Sequence, residues 1–303
     1  MAGQIPLDPV SVPAFLLEGE ENRHTPLFLN SPHSGDAFPP HFLARSQLSR
    51  AALRRASDLY VDCLFRPLVA EGLPMLSSPL PRSYLDLNRE PLELDPRLIA
   101  GPLPVDANTR SLRVAGGLGT IPRVIGDQIE IYAGKLPLEE ALSRIAAHYV
   151  PYHLRLHREL AQRHRDHGMV LLLDLHSMPS QTLPRPHRSM PDLVIGDRFG
   201  SSAASGLVEH LEHLARCAGF RVERNQPYAG GYITEHYGRP TLGWHAIQIE
   251  VNRALYMDEA HLEPHDGFQG LSAALCGIVM QLVADQAFDS RKTALHFSQK
   301  AAE

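Results

Sequence analysis

Two histidines, one glutamate and one Asn-Arg pair stand where stretches of apolar sequence stop. His33 follows Leu27-Phe28-Leu29-Asn30-Ser31-Pro32, His176 follows Val170-Leu171-Leu172-Leu173-Asp174-Leu175, and Glu250 ends the run from Trp244. Two imidazoles and a carboxylate form a donor set that zinc accepts, and a catalytic zinc keeps its fourth position for water. Spacing leaves the third ligand open, because Asp36 lies three residues after His33 while Asp58 falls in the next helical stretch. Glu250 beside such an ion has the chemistry to take a proton from water and pass it to a leaving amine. Arg89 offers a forked, permanently charged donor matched to a carboxylate. Together these residues point to metal-assisted hydrolysis of an amide in a small acidic molecule. Each also has a plain structural alternative: His33 capping a turn, Asp174 and His176 bonding each other, Glu250 pairing with Arg253, Arg89 anchoring a loop.

The positioning elements are legible as apolar runs and periodicities. Val170–Leu175, bounded by Gly168 and Pro179, reads as a fully buried strand, and Thr25–Asn30, Met75–Ser77, Leu193–Ile195, Phe220–Glu223 and Trp244–Arg253 read as further strands. In Arg82–Arg89, alternation places Tyr84, Asp86 and Asn88 on one side of an expected strand. Helical spacing predicts helices over 48–71, with Asp58 and Asp62 on one face, and over 138–164, with Pro151 inside the span. Ser202–Cys217 and 265–285 complete the set. Alternating strands and helices predict an α/β fold, a three-layer α/β/α arrangement around a mixed, mostly parallel sheet, whose ligands gather at the carboxyl ends of the strands. Residues 1–24 read as a lead-in, 25–285 as one domain and 286–303 as a tail. Residues 90–135, rich in Pro and Gly, read as a functional excursion. Its Gly116-Gly117-Leu118-Gly119 follows no clear strand and has no P-loop lysine, so it is not read as a nucleotide site.

Composition narrows the function classes. The 303 residues are 44% hydrophobic and 21% charged, enough apolar material for a sizeable core. A net charge of −5 speaks against nucleic acid or an anionic membrane as partner and suits a small acidic substrate. Cys63, Cys217 and Cys276 are an odd number in apolar helical surroundings, so they are expected as reduced core residues of a cytoplasmic protein. No leader is read at the N-terminus, and no stretch is read as reaching the roughly 18 apolar residues of a membrane span.

Five short motifs occur in order: Ser31-Pro32-His33-Ser34-Gly35, Asp86-Leu87-Asn88-Arg89, Asp174-Leu175-His176-Ser177, Gly230-Gly231-Tyr232-Ile233-Thr234 and His245-Ala246-Ile247-Gln248-Ile249-Glu250. With them the chain, from about residue 25 to 285, resembles the N-formylglutamate amidohydrolases. That resemblance implies a zinc-carboxypeptidase-like fold, hydrolysis of N-formyl-L-glutamate to formate and glutamate in histidine breakdown, and a zinc or other divalent ion. It implies His33 and His176 as ligands, with Asp36 or Asp58 as the third. Glu250 would be the general base, Arg82 would polarise the formyl carbonyl, and Asn88 and Arg89 would hold the α-carboxylate. Tyr232, Thr234 and His245 are further candidates, His245 either orienting Glu250 or binding substrate. The resembling carboxypeptidases carry a glutamate where this chain has Asp36. Two rivals remain: a related N-acyl amino acid hydrolase of different specificity, and a binding protein that has lost its metal.

Overall fold

The computed structural model describes residues 12–126, 128–181 and 190–285. The expected tail at 286–303 and residues 1–11 of the expected lead-in lie outside these residues. A seven-stranded sheet is built from β1 (Leu16–Glu18), β2 (Leu27–Ser31), β3 (Met75–Ser77), β4 (Val170–Met178), β5 (Leu193–Gly196), β6 (Val222–Arg224) and β7 (Trp244–Asn252). Their order across the sheet is β1-β3-β2-β4-β7-β5-β6. β3, β2, β4 and β7 run parallel to one another, and β6 runs parallel to β5. β5 meets β7 antiparallel, so the sheet is mixed and mostly parallel.

Alternation along the central strands sends two different chemistries to the two faces. Leu27, Leu29, Leu171, Leu173, Leu175, Ile247, Ile249 and Val251 enter one apolar core. That core is completed by α1 (Val61–Phe65), α3 (Ser205–Cys217) and α5 (Gly267–Ala284). The opposite face is covered at its start by α2 (Val150–His167), whose Arg163 guanidinium lies 4.6 Å from the Phe28 ring centroid. Further along, the same face carries Asn30, Asp174, His176, Gln248 and Glu250. Register places Asn30 and Gln248 beside Asp174, and Glu250 beside His176.

Within the region expected as one domain, the chain sorts into two compact units. One comprises His33–Ser57 and Ser78–Tyr152, with the segment up to Leu16. The other comprises Leu17–Pro32, Asp58–Ser77 and the residues from His153 onward, and it holds nearly all of the large sheet. The 90–135 excursion belongs to the first unit and has short elements of its own. Ile99–Ala100 pairs with Leu136–Pro137, and Val124–Ile125 pairs with Ile129–Glu130. Its Gly119 is needed for packing, since a Cβ there would strike the Glu93 carbonyl oxygen.

Several expectations are corrected. The helix over 48–71 is broken: Arg50–Arg54 is capped by Ser49, the chain then leaves the helix, and Tyr60 takes a left-handed φ of 66° before α1 begins. Asp58 sits in that break and shares no helix face with Asp62, because its carboxylate is drawn to Ser177 and Arg253 instead. Arg82–Arg89 is a run of turns, not a strand. The Tyr84 and Leu85 N–H groups both return to the Pro81 carbonyl, and residues from both sides of the alternation are buried. The 138–164 helix is continuous from Leu138 to His167 but widens to a π-turn at Ile145–Tyr149, next to Pro151, which has no N–H to donate. Gly230–Thr234 leads into a short helix, α4 (Tyr232–Tyr237). All three cysteines are free, but Cys217 is exposed, not a core residue. By length and composition α5 meets the membrane-span criterion that no stretch was expected to reach, at mean hydropathy 1.5. Its Leu271, Leu275, Ile278, Val279 and Leu282 are nonetheless buried against the sheet.

Candidate active site

β2 delivers His33 two residues past its end, and β4 presents His176 within its last turn of pleat. Gly35 lets the loop after His33 lie against residues 79–80, where a Cβ would strike the Pro79 and Leu80 backbone. His33 Nε2 is 2.8 Å from Asp86 Oδ1. The other Asp86 oxygen meets Arg82 at 2.8 Å and Arg89 at 3.3 Å. Burial alone would raise the Asp86 carboxyl, yet Arg82, Arg89 and His33 together hold it well below the usual carboxylate range. Asp86 is therefore a fixed anion that orients the His33 ring.

His176 is held by two carboxylates, Nδ1 to Asp58 Oδ2 and Nε2 to Asp174 Oδ2, each at 3.0 Å. Asn30 fixes the second Asp174 oxygen at 2.8 Å. Burial disfavours charge on the His176 ring, but Asp174, Asp58 and Glu250 outweigh it and push its pKa well above the ordinary value. Ser177 Oγ and Arg253 donate to Asp58 Oδ1 at 3.1 and 3.0 Å, while Oδ2 faces His176 Nδ1. Among the described residues, one group of histidines and acids has the spacing to hold a metal ion. In it, ligand atoms of His33, Asp58 and His176 lie within 4.8 Å of one another, all buried. Two imidazoles and one carboxylate fit a divalent ion while leaving coordination positions open.

Glu250 lies one strand from His176 on the same face and receives a hydrogen bond of 2.7 Å from Gln248 Nε2. The remaining candidates are placed as follows. Asp36 is outside the metal-ligand group: its carboxylate pairs with Arg54 at 3.1 Å and Arg50 at 3.2 Å on a partly exposed surface. His245 belongs to the other parity of β7, away from Glu250, and its Nδ1 accepts from the Ala204 N–H at 3.2 Å. Burial, aided by His164, lowers its pKa to about 4, as suits a neutral ring at the start of α3. Arg89 is buried, with Nε on the Leu118 carbonyl and Nη1 on the Asn88 carbonyl. The Asn88 N–H donates to Asp86 at 2.9 Å. Thr234 donates to the Gly231 carbonyl at 2.9 Å, and the Tyr232 hydroxyl pairs with His236 at 3.2 Å. Sequence reasoning did not assign roles to Asp86 or Gln248, and it offered Arg253 only as a partner for Glu250. Two-residue spacing from Glu250 was the signal for Gln248; nothing local signals the contact of Arg253 with Asp58.

The N-formylglutamate amidohydrolase family model matches residues 25–257. The chain belongs to that family. This amidohydrolase is therefore a hydrolase of an amide bond. It is 28% identical over 237 residues to the N-formylglutamate deformylase of Pseudomonas aeruginosa, covering 77% of this chain and 83% of that one. With the N-formylglutamate deformylase of Pseudomonas putida it shares 34% identity over 134 residues, 44% of this chain and 49% of the relative. The crystal structure of N-formylglutamate amidohydrolase from Ralstonia eutropha JMP134 superposes with a TM-score of 0.84 at 33% identity, covering 89% of this amidohydrolase and 97% of that chain.

Proposed function

We propose that this chain cleaves the formyl amide of N-formyl-L-glutamate to formate and L-glutamate, using a divalent ion, zinc by preference, held by His33, Asp58 and His176. What carries the reading is the buried group of two imidazoles and a carboxylate with Glu250 one strand away, in a chain of this family. A bound divalent ion supplies Lewis acidity to the amide carbonyl and acidifies water. Glu250 takes a proton from water as its oxygen adds to the formyl carbon. The same acid returns the proton to the amine nitrogen as the C–N bond breaks. Arg82, whose side chain is partly exposed beside Asp86, is assigned to the formyl oxygen, and Asn88 with Arg89 to the α-carboxylate. Three free thiols support a reducing compartment, the cytoplasm, and the family resemblance supports a place in histidine breakdown.

The test is formate release from N-formyl-L-glutamate compared with acetate release from N-acetyl-L-glutamate. Faster turnover of the formyl compound supports the reading, and preference for the acetyl compound overturns it. Arg82→Ala should lower kcat and kcat/KM together by roughly 10- to 100-fold, as loss of one charged hydrogen bond made in the transition state would. A change confined to KM would move Arg82 to substrate binding.

Metal uptake should also follow pH. With its pKa raised, His176 holds a proton at neutral pH until an ion displaces it, so affinity falls as pH falls and rises as pH approaches the raised value. Titration of the metal-free protein with zinc in lightly buffered solution should show proton release. Affinity flat between pH 5 and about 8 would remove His176 from the ligand set.

A further inference from the structure

Gln248 occupies the register row just before Glu250 on β7, beside Asp174 of β4 and opposite Gly196 of β5. Its side-chain oxygen accepts from the Gly231 N–H at 3.0 Å, and its Nε2 donates to Glu250 Oε1 at 2.7 Å. A backbone N–H only donates, so the Gln248 oxygen must face Gly231 and the NH2 must face Glu250. The orientation of the amide is thereby fixed by its surroundings instead of being free to flip.

Gly196 makes this arrangement possible. A Cβ there would come within 2.8 Å of the Ala229 carbonyl carbon and 2.9 Å of the Gly230 nitrogen. Without a side chain at that position, the segment before α4 lies directly on the β5 backbone and brings the Gly231 N–H across to β7. Gly230 adopts φ +120° in the same segment, a conformation that other residues rarely take. The Gly230-Gly231 motif thus has a mechanical function that its tyrosine and threonine do not explain.

We infer that Gln248 is a positioning residue for Glu250, holding the Oε1 side of its carboxylate in place for proton transfer. This inference rests on the reading of Glu250 as the general base. A carboxylate on a β-strand has two free side-chain torsions ahead of its terminal one. One strong hydrogen bond to Oε1 removes most of that freedom before substrate arrives, at a point where a displacement of about 1 Å can cost on the order of 100-fold in rate.

The test is a cycle of four proteins: wild type, Gln248→Met, Glu250→Gln and the double variant. Each is assayed for kcat, KM, bound metal and thermal midpoint. Gln248→Met should lower kcat roughly 10- to 100-fold while KM and metal content stay at wild-type values. In the Glu250→Gln background the same substitution should cost nothing more. Equal losses in both backgrounds would show that Gln248 acts independently of Glu250, and unchanged kcat in Gln248→Met would show that it does not act at all. Either result overturns the inference while leaving the base assignment standing. A fully active Glu250→Gln would instead sink the base assignment, and the inference with it. Should Gln248→Met fail to fold, Gly196→Ala displaces the Gly231 donor with both side chains left in place. It should give the same kcat loss, again absent in the Glu250→Gln background.

Discussion

Glu250→Gln keeps its fold and its metal but loses on the order of 100- to 10,000-fold in turnover, the span typical of removing one general base. The substitution is isosteric, and its amide oxygen can still accept the 2.7 Å hydrogen bond from Gln248. What disappears is the ability to take a proton and give it back. Glu250 is also one of the charges that favour a protonated His176, so replacing it slightly relieves an excess of negative charge without removing a ligand. Formate release and elemental analysis of the same preparation decide the matter. Loss of metal together with activity would make Glu250 a ligand and refute the division of labour drawn above.

The second large effect separates two aspartates that sequence spacing could not. His33→Ala, His176→Ala and Asp58→Ala should each release the ion and leave activity at background, whereas Asp36→Ala should keep both. Asp58 joins the two imidazoles in the buried group, and Arg253 and Ser177 hold its far oxygen so that the near one faces the ring of His176. Asp36 instead neutralises two surface arginines, an interaction worth about 1 kcal/mol or less. Metal retained by Asp58→Ala and lost from Asp36→Ala would reverse the assignment.

Where the sequence was readable, a strong local pattern coincided with the final environment. The apolar run before His176 and the patterned run before Glu250 became β4 and β7, and their shared register now sets those two side chains side by side. Reading failed where a long-range bond outweighed a local tendency. The apolar stripe over 48–71 gave no sign that Asp58 would leave the helix for Arg253, a partner 195 positions away. Alternation in 82–89 suggested a strand, but both of its faces are buried and its backbone bonds close turns. His245 was grouped with Glu250 by motif, although five residues apart on a strand is an odd interval and points the ring the other way.

That odd-even rule constrains how this enzyme can change. In β7 the acid and its amide partner are carried by even positions, while Ile247, Ile249 and Val251 fill the hydrocarbon side. Inserting or deleting a single residue between Trp244 and Gln248 would exchange the two sets at a stroke, burying a carboxylate among leucines and turning isoleucine toward the His176 face. Diversification of this strand must therefore proceed by replacement alone, and length variation is confined to the connecting loops.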